Sequence, residues 1–239
     1  MTEKARVKDG GKTETVAIPS EEITVEGNLS VPRNACGVVL FAHGSGSSRF
    51  SPRNQFVARV LQEAEIATLL IDLLTNEEEQ IDMETAELRF DIDLLAKRLM
   101  AATEWVKANP STKRLAVGYF GASTGAAAAL VAAAELPEQV RAVVSRGGRP
   151  DLAMEYLPKV RAPVLLIVGG NDTVVIDLNK KAMKHLQTEK AFEVIPGATH
   201  LFEESGALEK VAELARRWFL KEFKNKRNKP QKAQSPRMK

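Results

Sequence analysis

A serine lies between two glycines in the pattern G-x-S-x-G, formed by Gly121, Ser123 and Gly125. A nucleophilic serine on a sharp turn between a strand and a helix has this spacing, because side chains at the flanking positions would crowd the turn. The apolar residues 115–120 predict a buried strand before the turn, and the alanine-rich residues 126–134 predict a buried helix after it. Ser123 is therefore the candidate nucleophile.

A serine hydroxyl is a weak nucleophile at neutral pH and needs a neighbouring base, which in proteins is most often histidine. The chain has three histidines. His185 lies in a helical pattern, and His43 ends the first buried strand, ahead of the serine. His200 directly follows the last predicted strand and comes after Ser123, as the strand–turn–helix arrangement requires. We predict that His200 is the base; the competing interpretation is a loop histidine that only caps the following helix.

An acid is needed to orient the histidine, and two aspartates follow predicted strands. Asp172 lies in the loop that follows the apolar residues 163–168, and Asp151 follows the strand before that one. We favour Asp172, because it precedes His200 by one strand in the order serine, aspartate, histidine. An aspartate that only caps the next helix is the alternative role for Asp172.

Two backbone N–H groups must stabilise the charge that develops on a carbonyl oxygen under attack. One is expected from the residue after the nucleophile, Thr124. The other is expected from the glycine-rich loop after the first buried strand, with Ser45 favoured and Gly44 as the alternative. Glycine there lets the backbone approach a substrate closely.

The same loop has a second interpretation. Gly44 and Gly46 follow a strand and precede a helix, as in dinucleotide-binding folds, and Asp72 ends the next strand where a ribose-binding acid would lie. Arg49, however, replaces the third glycine of G-x-G-x-x-G, and the chain has no complete G-x-x-x-x-G-K-[ST] motif. The sequence therefore disfavours dinucleotide binding.

Three arginines follow predicted strands: Arg49, Arg146 and Arg149. A guanidinium group can recognise a substrate carboxylate through paired hydrogen bonds. It can equally pair with acids nearby in the chain, such as Asp151 or the acidic residues 77–79. We favour ion pairing within the protein, since such pairs are common structural features.

Strand-like and helix-like segments alternate along the chain, which predicts the α/β class with a mostly parallel sheet and helices on both faces. Two alternating runs, residues 13–18 and 22–31 with a turn at residues 19–20, predict an N-terminal antiparallel hairpin. An acidic loop is predicted over residues 75–80. The predicted buried strands are residues 37–42, 66–71, 115–120, 140–145, 164–168 and 192–195.

The composition is that of a soluble globular protein, with 44% hydrophobic and 27% charged residues among 239. Cys36 is the only cysteine, which excludes an internal disulfide and a four-cysteine zinc site and fits a reducing compartment. Residues 1–14 are polar and lack the apolar core of a signal peptide. No apolar run approaches the roughly 18 residues of a membrane span. We expect a cytoplasmic protein without a membrane partner.

The net charge of +3 depends on the carboxyl-terminal end of the chain. Residues 224–239 carry seven Lys or Arg and no acid, so the rest of the chain has a net charge of −4. We predict one domain over residues 1–223 and a disordered basic tail over residues 224–239. Contact of the tail with nucleic acid or another anionic surface is the alternative, and the rest of the chain does not favour nucleic acid binding.

The motifs HGSGSS, GASTG, GGND and GATH, which span residues 43–200 in that order, resemble those of the α/β-hydrolases of the dienelactone hydrolase-like group. The resemblance covers residues 13–223. It implies an acyl-enzyme mechanism with Ser123, Asp172 and His200 as the catalytic triad, and no metal or organic cofactor. One departure is that dienelactone hydrolases proper have cysteine where this chain has serine, so the dienelactone substrate itself is not implied.

The same resemblance bears on the substrate. Many α/β-hydrolases insert a cap domain after the strand that here ends at Ser145, but only residues 146–162 separate it from the next strand. We therefore predict no cap domain, an open site and a small or short-acyl carboxylic ester as substrate. A thioesterase or lactonase with the same triad is one alternative. An interaction module that keeps the scaffold without catalysis is another.

Overall fold

Eight strands form one sheet within residues 13–225, the part of the chain that the computed structural model describes. The spatial order is β1-β2-β4-β3-β5-β6-β7-β8. Strand β2 runs antiparallel to both β1 and β4, and all other neighbouring strands are parallel. The strands are β1 (Thr13–Ser20), β2 (Ile23–Ser30), β3 (Gly37–Ala42), β4 (Ala67–Ile71), β5 (Ala116–Ala122), β6 (Val140–Arg146), β7 (Val164–Gly169) and β8 (Lys190–Ile195).

Helices cover both faces of the sheet, as the alternation of patterns predicts. Helices α1 and α6 bury their apolar sides in one core cluster, and helices α3, α4 and α5 contribute to a second cluster on the opposite face. The predicted fold class is confirmed, including the absence of a separate cap domain among the described residues. The helices are α1 (Pro52–Glu63), α2 (Asn76–Thr85), α3 (Ile92–Ala108), α4 (Thr124–Glu135), α5 (Thr173–Met183) and α6 (Ala207–Asn225).

Helix α4 is the most deeply buried helix, because small side chains let it lie close to the sheet. Every residue from Thr124 to Ala134 is buried. Strand β5, which leads into it, is buried from Val117 to Ala122. A strand and a helix buried on all sides hold the turn between them rigidly.

The predicted turn at the start of the chain is wrong by two residues. Strand β1 continues through Pro19 and Ser20, and Pro19 pairs with Thr24 of β2. Proline, which has no N–H, is tolerated because β1 is the edge strand. The turn lies at residues 21–22, where Glu21 has a φ of 54°.

The predicted acidic loop over residues 75–80 is also wrong, because most of it forms helix α2. Thr75 caps this helix: its hydroxyl accepts from the Glu78 N–H, and the Glu78 carboxylate accepts from the Thr75 N–H. Glutamates in the first turn also suit the positive end of the helix dipole. A short 3₁₀ turn, Leu88–Phe90, joins α2 to α3.

Residues 226–239, which make up most of the predicted basic tail, lie outside the described residues, as do residues 1–12. Helix α6 extends to Asn225, so its last turn includes the first two residues of the predicted tail. Across residues 13–225, no helix combines the length and the hydropathy that crossing a membrane requires.

Candidate active site

Ser123 lies on a sharp turn between β5 and α4, here called the serine turn (residues 121–125). Its backbone has a φ of 50° and a ψ of −121°. Residues other than glycine rarely adopt such a positive φ. A Cβ on Gly121 would lie 2.4 Å from Cα of Ala126, and one on Gly125 would lie 2.3 Å from the carbonyl oxygen of Ala42. The two glycines of the motif are therefore required by the close packing of the turn.

Backbone hydrogen bonds tie the serine turn to the end of β6. The Ser123 N–H donates to the Arg146 carbonyl at 3.2 Å, and the Ser123 carbonyl accepts from the Arg149 N–H at 3.1 Å. These bonds hold the strained residue from both sides. Conformations of this kind persist where the surroundings impose them, and they concentrate at active sites.

Asp172 and His200 are in direct contact. His200 Nδ1 donates to Asp172 Oδ2 at 2.6 Å, since a carboxylate can only accept. The loops that carry the two residues pack tightly: a Cβ on Gly169 would lie 2.5 Å from the Ala198 carbonyl oxygen, and Asn171 Nδ2 donates to the Gly197 carbonyl at 2.8 Å. The glycines and the asparagine of GGND and GATH thus bring the acid and the histidine together.

The same histidine lies beside the end of β6, to which the serine turn is bonded. A Cβ on Gly147 would lie 3.4 Å from Cε1 of His200. Within the described residues, neither the Ser123 hydroxyl nor His200 Nε2 has a hydrogen-bond partner, so the two do not bond each other in this state. In unliganded enzymes such bonds are often long and shorten when substrate binds. His200 Nε2 is thus not engaged by another group of the described chain.

The alternative residues are positioned differently. Asp151 accepts two hydrogen bonds from the Arg149 guanidinium, at 2.9 and 2.8 Å, and makes none with His200. His185 is exposed in the turn that follows α5. The sequence pattern predicted that His185 lies within this helix, but the helix already ends at Met183. Asp172 and His200 are the acid and histidine that the structure brings together.

His43 has a structural position that the sequence did not reveal. It is 6% exposed, its Nδ1 donates to the Gly44 carbonyl at 3.0 Å, and its Nε2 accepts from the Leu73 N–H at 3.0 Å. Burial lowers its pKa, against the opposing effects of the Gly44 carbonyl and of Asp72. His43 is therefore a neutral link between the loop after β3 and the end of β4. Its position at the end of a buried strand was the only signal in the sequence.

The two residues expected to stabilise an oxyanion lie side by side. The Ser45 and Thr124 hydroxyls are 3.1 Å apart, so the loop after β3 meets the first residue of α4. In the described part of the chain, the backbone N–H groups of both residues have no acceptor. Gly44, the alternative to Ser45, also has an unpaired N–H, and a Cβ on it would lie 3.0 Å from Cβ of Ser123. Unpaired donors beside the nucleophile suit a developing negative charge.

A cavity of about 210 Å³ opens beside these groups. Its lining includes Gly44, Ser45 and Thr124, an apolar wall with Leu73, Leu95 and Met83, and the charged side chains of Glu79, Asp82 and Arg89. Helix α2 supplies part of the wall, which means that the stretch predicted as an exposed acidic loop instead shapes the site.

Glu79 of helix α2 also lines the cavity. Burial, followed by repulsion from Asp72 and Asp82, raises the pKa of its carboxyl group. Asp82, by contrast, is paired, since it accepts from Arg89 Nε at 2.6 Å. Glu79 is thus the carboxyl group in this wall with no ion-pair partner among the described residues.

Two of the three candidate arginines are paired inside the protein. Arg49 makes ion pairs with Asp72 and Glu26, and its backbone N–H also donates to Asp72 at 2.7 Å. Arg149 pairs with Asp151, as described above. The Asp72 carboxylate, proposed as a ribose-binding acid under the dinucleotide interpretation, is thereby bound to Arg49. Arg146 is buried and has no carboxylate partner in the described range.

The family model of the dienelactone hydrolase family matches residues 31–226. The chain belongs to this family. The crystal structure of a dienelactone hydrolase from Anabaena variabilis is 62% identical in sequence and has a TM-score of 0.87, over 88% of this chain and 98% of that one. The esterase Est1E from Butyrivibrio proteoclasticus shares the fold, with a TM-score of 0.74 at 16% identity, over 87% of this chain and 98% of that one.

A Mycobacterium tuberculosis protein with a provisional phosphoribosyl transferase name is 56% identical over 209 residues. The match covers 87% of this chain but only 46% of that protein, so the chain spans about half the length of this relative. Membership of the dienelactone hydrolase family and the α/β-hydrolase fold together support a hydrolase activity.

Proposed function

We propose that the protein is a serine hydrolase that cleaves small or short-acyl carboxylic esters through an acyl-enzyme intermediate. The observation that carries this proposal is the hydrogen bond between His200 Nδ1 and Asp172 at 2.6 Å, at the same edge of the sheet as a serine held at a φ of 50°. The bond to the carboxylate fixes the tautomer in which Nε2 is the basic nitrogen.

In the proposed reaction, Ser123 Oγ attacks the ester carbonyl carbon while His200 Nε2 takes the hydroxyl proton. The carbonyl oxygen becomes an oxyanion, which the N–H groups of Ser45 and Thr124 stabilise. The carbon–oxygen bond to the alcohol then breaks, and the alcohol leaves with the proton from His200. Water then attacks the acyl carbon while His200 Nε2 takes one of its protons; the bond to Ser123 Oγ breaks, His200 returns that proton to Oγ, and the acid is released.

The cavity supports the restriction to small substrates. Its volume of about 210 Å³ is below the roughly 300–1,000 Å³ of typical ligand pockets. The apolar wall of Leu73 and Leu95 suits a short hydrocarbon group rather than a long chain. Thioesters and lactones would react at the same triad. They are tested by measuring kcat/KM with a thioester or a lactone in place of the ester substrate.

Phosphoribosyl transfer, which the name of the Mycobacterium tuberculosis relative suggests, is not part of the proposal. That protein is matched over less than half its length. The Asp72 carboxylate, where a ribose-binding acid would lie, is bound to Arg49.

The proposal is tested by kcat/KM for 4-nitrophenyl esters from acetate to dodecanoate, with the wild type, Ser123→Ala and the surface control Ser111→Ala. We expect the highest values for acetate or butyrate and a loss of about 10⁴- to 10⁶-fold in Ser123→Ala. Ser111, exposed in the turn after α3, should tolerate alanine without effect. Full activity of Ser123→Ala, or fastest turnover of the dodecanoate, would overturn the proposal.

A further inference from the structure

Glu79 differs from the other charged side chains that line the cavity beside Ser123. Asp82 and Arg89 neutralise each other, because Arg89 Nε donates to Asp82 Oδ2 at 2.6 Å. His43, which also lines the cavity, is kept neutral by burial. The Glu79 carboxyl group has no ion pair or side-chain hydrogen bond within the described residues. When Glu79 is ionised, the lining therefore carries a negative charge that no cation of the lining balances.

The groups that face Glu79 add to this negative charge. Burial is the largest cause of the raised pKa of Glu79, and repulsion from Asp72, directly after β4, and from Asp82 adds to it. Arg49 acts in the opposite direction, but its guanidinium already pairs with Asp72 and Glu26. A cation beside Glu79 would be attracted by these carboxylates and would in turn favour the ionised form of Glu79.

The cavity and His200 lie on opposite sides of Ser123 along the sheet. In the strand order, β3 and β4 lie on one side of β5, which leads into Ser123, and β6, β7 and β8 lie on the other. The cavity is lined by the loop after β3, by Leu73 shortly after β4, and by helix α2. His200 follows β8 and lies beside Gly147, at the end of β6.

This arrangement distinguishes the two arms of an ester in the proposed reaction. His200 must reach the alcohol oxygen, because it gives the proton to that oxygen when the carbon–oxygen bond breaks. The alcohol arm therefore lies on the His200 side, and the acyl arm extends into the cavity. Leu73 and Leu95 form an apolar wall for the methylene groups of a short acyl chain, and Glu79 lines the same space.

We propose that Glu79 binds a cationic group on the acyl chain, so that the protein prefers short acyl esters with an ammonium group to neutral or anionic ones. The carboxylate pairs with the cation inside the cavity, where less water screens the pair than at an open surface. An anionic acyl chain is repelled by the same carboxylate. This inference rests on the proposed esterase function, and it names the class of acyl group.

Three 4-nitrophenyl esters test the inference, because their acyl chains have the same spacer and differ in the charge at the end. They are the cationic 4-(trimethylammonio)butanoate, its neutral isostere 5,5-dimethylhexanoate and the anionic 4-sulfobutanoate. The variants are Glu79→Gln, which removes the charge at nearly constant size, and the matched control Glu84→Gln, at an exposed position on the same helix.

In Glu79→Gln we expect kcat/KM for the cationic ester to fall about 5- to 10-fold and that for the anionic ester to rise about 2- to 5-fold, as for loss of a partly screened charge. The neutral ester should change by less than about twofold, since it makes no charged contact. Glu84→Gln should leave all three values unchanged. In the wild type, kcat/KM divided by the rate constant for hydrolysis by hydroxide should be highest for the cationic ester.

Equal loss on all three esters in Glu79→Gln would overturn the inference, because Glu79 would then only maintain the shape of the cavity wall. Unchanged values would overturn it as well. A wild-type preference for the sulfonate would also do so, because Arg89 would then select the acyl chain. If Glu79→Gln fails to fold, the wild type provides the test. Its preference for the cationic over the neutral ester should fall at least about twofold between low salt and 0.5 M NaCl, and a preference independent of salt would contradict the inference.

Failure of the inference is distinguishable from failure of the proposed function. If the wild type hydrolyses 4-nitrophenyl butanoate through Ser123 but Glu79→Gln leaves the charge preference unchanged, the cation site is wrong and the esterase function remains. If the butanoate is not hydrolysed and Ser123 does not react with a fluorophosphonate, the esterase function itself is wrong.

Discussion

Two histidines at the same edge of the sheet, His43 and His200, have opposite surroundings. His43 is buried, and backbone groups occupy both of its ring nitrogens. His200 has a side chain that is 39% exposed, with Nδ1 on Asp172 and Nε2 unpaired within the described chain. Both residues follow strands, so position along the chain does not separate them.

The difference shows what a catalytic histidine needs beyond its place in a motif. A base must have one nitrogen available to the reacting proton and the other held by a partner that fixes the tautomer. His200 meets both conditions. Both ring nitrogens of His43 are hydrogen-bonded, one to Gly44 and one to Leu73. His43 therefore stabilises and shapes the loop that carries Ser45.

The same substitution at all three histidines tests this contrast, and the largest effect is expected at His200. His200→Gln should lower kcat for a short ester by about 10⁴- to 10⁶-fold, because glutamine cannot accept and return the serine proton. The free energy of unfolding, measured in urea, should change by less than about 0.5 kcal/mol, as expected for a partly exposed residue outside the core.

The matched control is His185→Gln, at an exposed turn after α5. It should change neither activity nor stability. If His200→Gln retained wild-type kcat, or if His43→Gln lost as much activity as His200→Gln while remaining folded, the assignment of the base to His200 would be wrong.

A smaller and different effect is expected at His43. His43→Gln should lower the free energy of unfolding at pH 7.5 by about 1–3 kcal/mol, since at least one buried backbone group loses its partner. Activity should fall about 10- to 100-fold, because displacement of the loop that carries Ser45 weakens stabilisation of the oxyanion. Urea unfolding followed by tryptophan fluorescence, together with ester turnover, measures the two effects.

The stability difference between wild type and His43→Gln should also depend on pH. The folded protein keeps His43 neutral because burial lowers its pKa, whereas the unfolded chain takes up the proton near the ordinary value of 6.5. Stability from His43 is therefore fully present above pH 6.5 and is lost as the pH falls below it, by up to about 1.4 kcal/mol per pH unit. A difference that grows in acid would contradict a neutral, buried His43.

Much of the site could be predicted from the sequence, because its residues directly follow strands whose apolar runs are plain. Ser123, Asp172 and His200 each follow such a run, and the carboxyl ends of parallel strands meet at one edge of a sheet. The structure accordingly brings Asp172 and His200 into contact and places His200 beside the end of β6, to which the serine turn is bonded. Their catalytic roles remain a proposal.

Other features depend on partners that are distant in the chain. The role of His43 requires Leu73, thirty positions later, and the isolation of Arg146 depends on which acids pack nearby. Neither can be derived from local patterns. Helix α2 is a different case, since Thr75 and Glu78 have the spacing of a capping box, and that signal was present in the sequence.

The most direct test of the central claim is covalent labelling with a fluorophosphonate, followed by intact mass and peptide mapping. We expect one adduct on Ser123 in the wild type and in His43→Gln, much slower labelling in His200→Gln, and none in Ser123→Ala. An unlabelled wild type, or an adduct on a residue other than Ser123, would contradict the claim that His200 and Asp172 activate this serine.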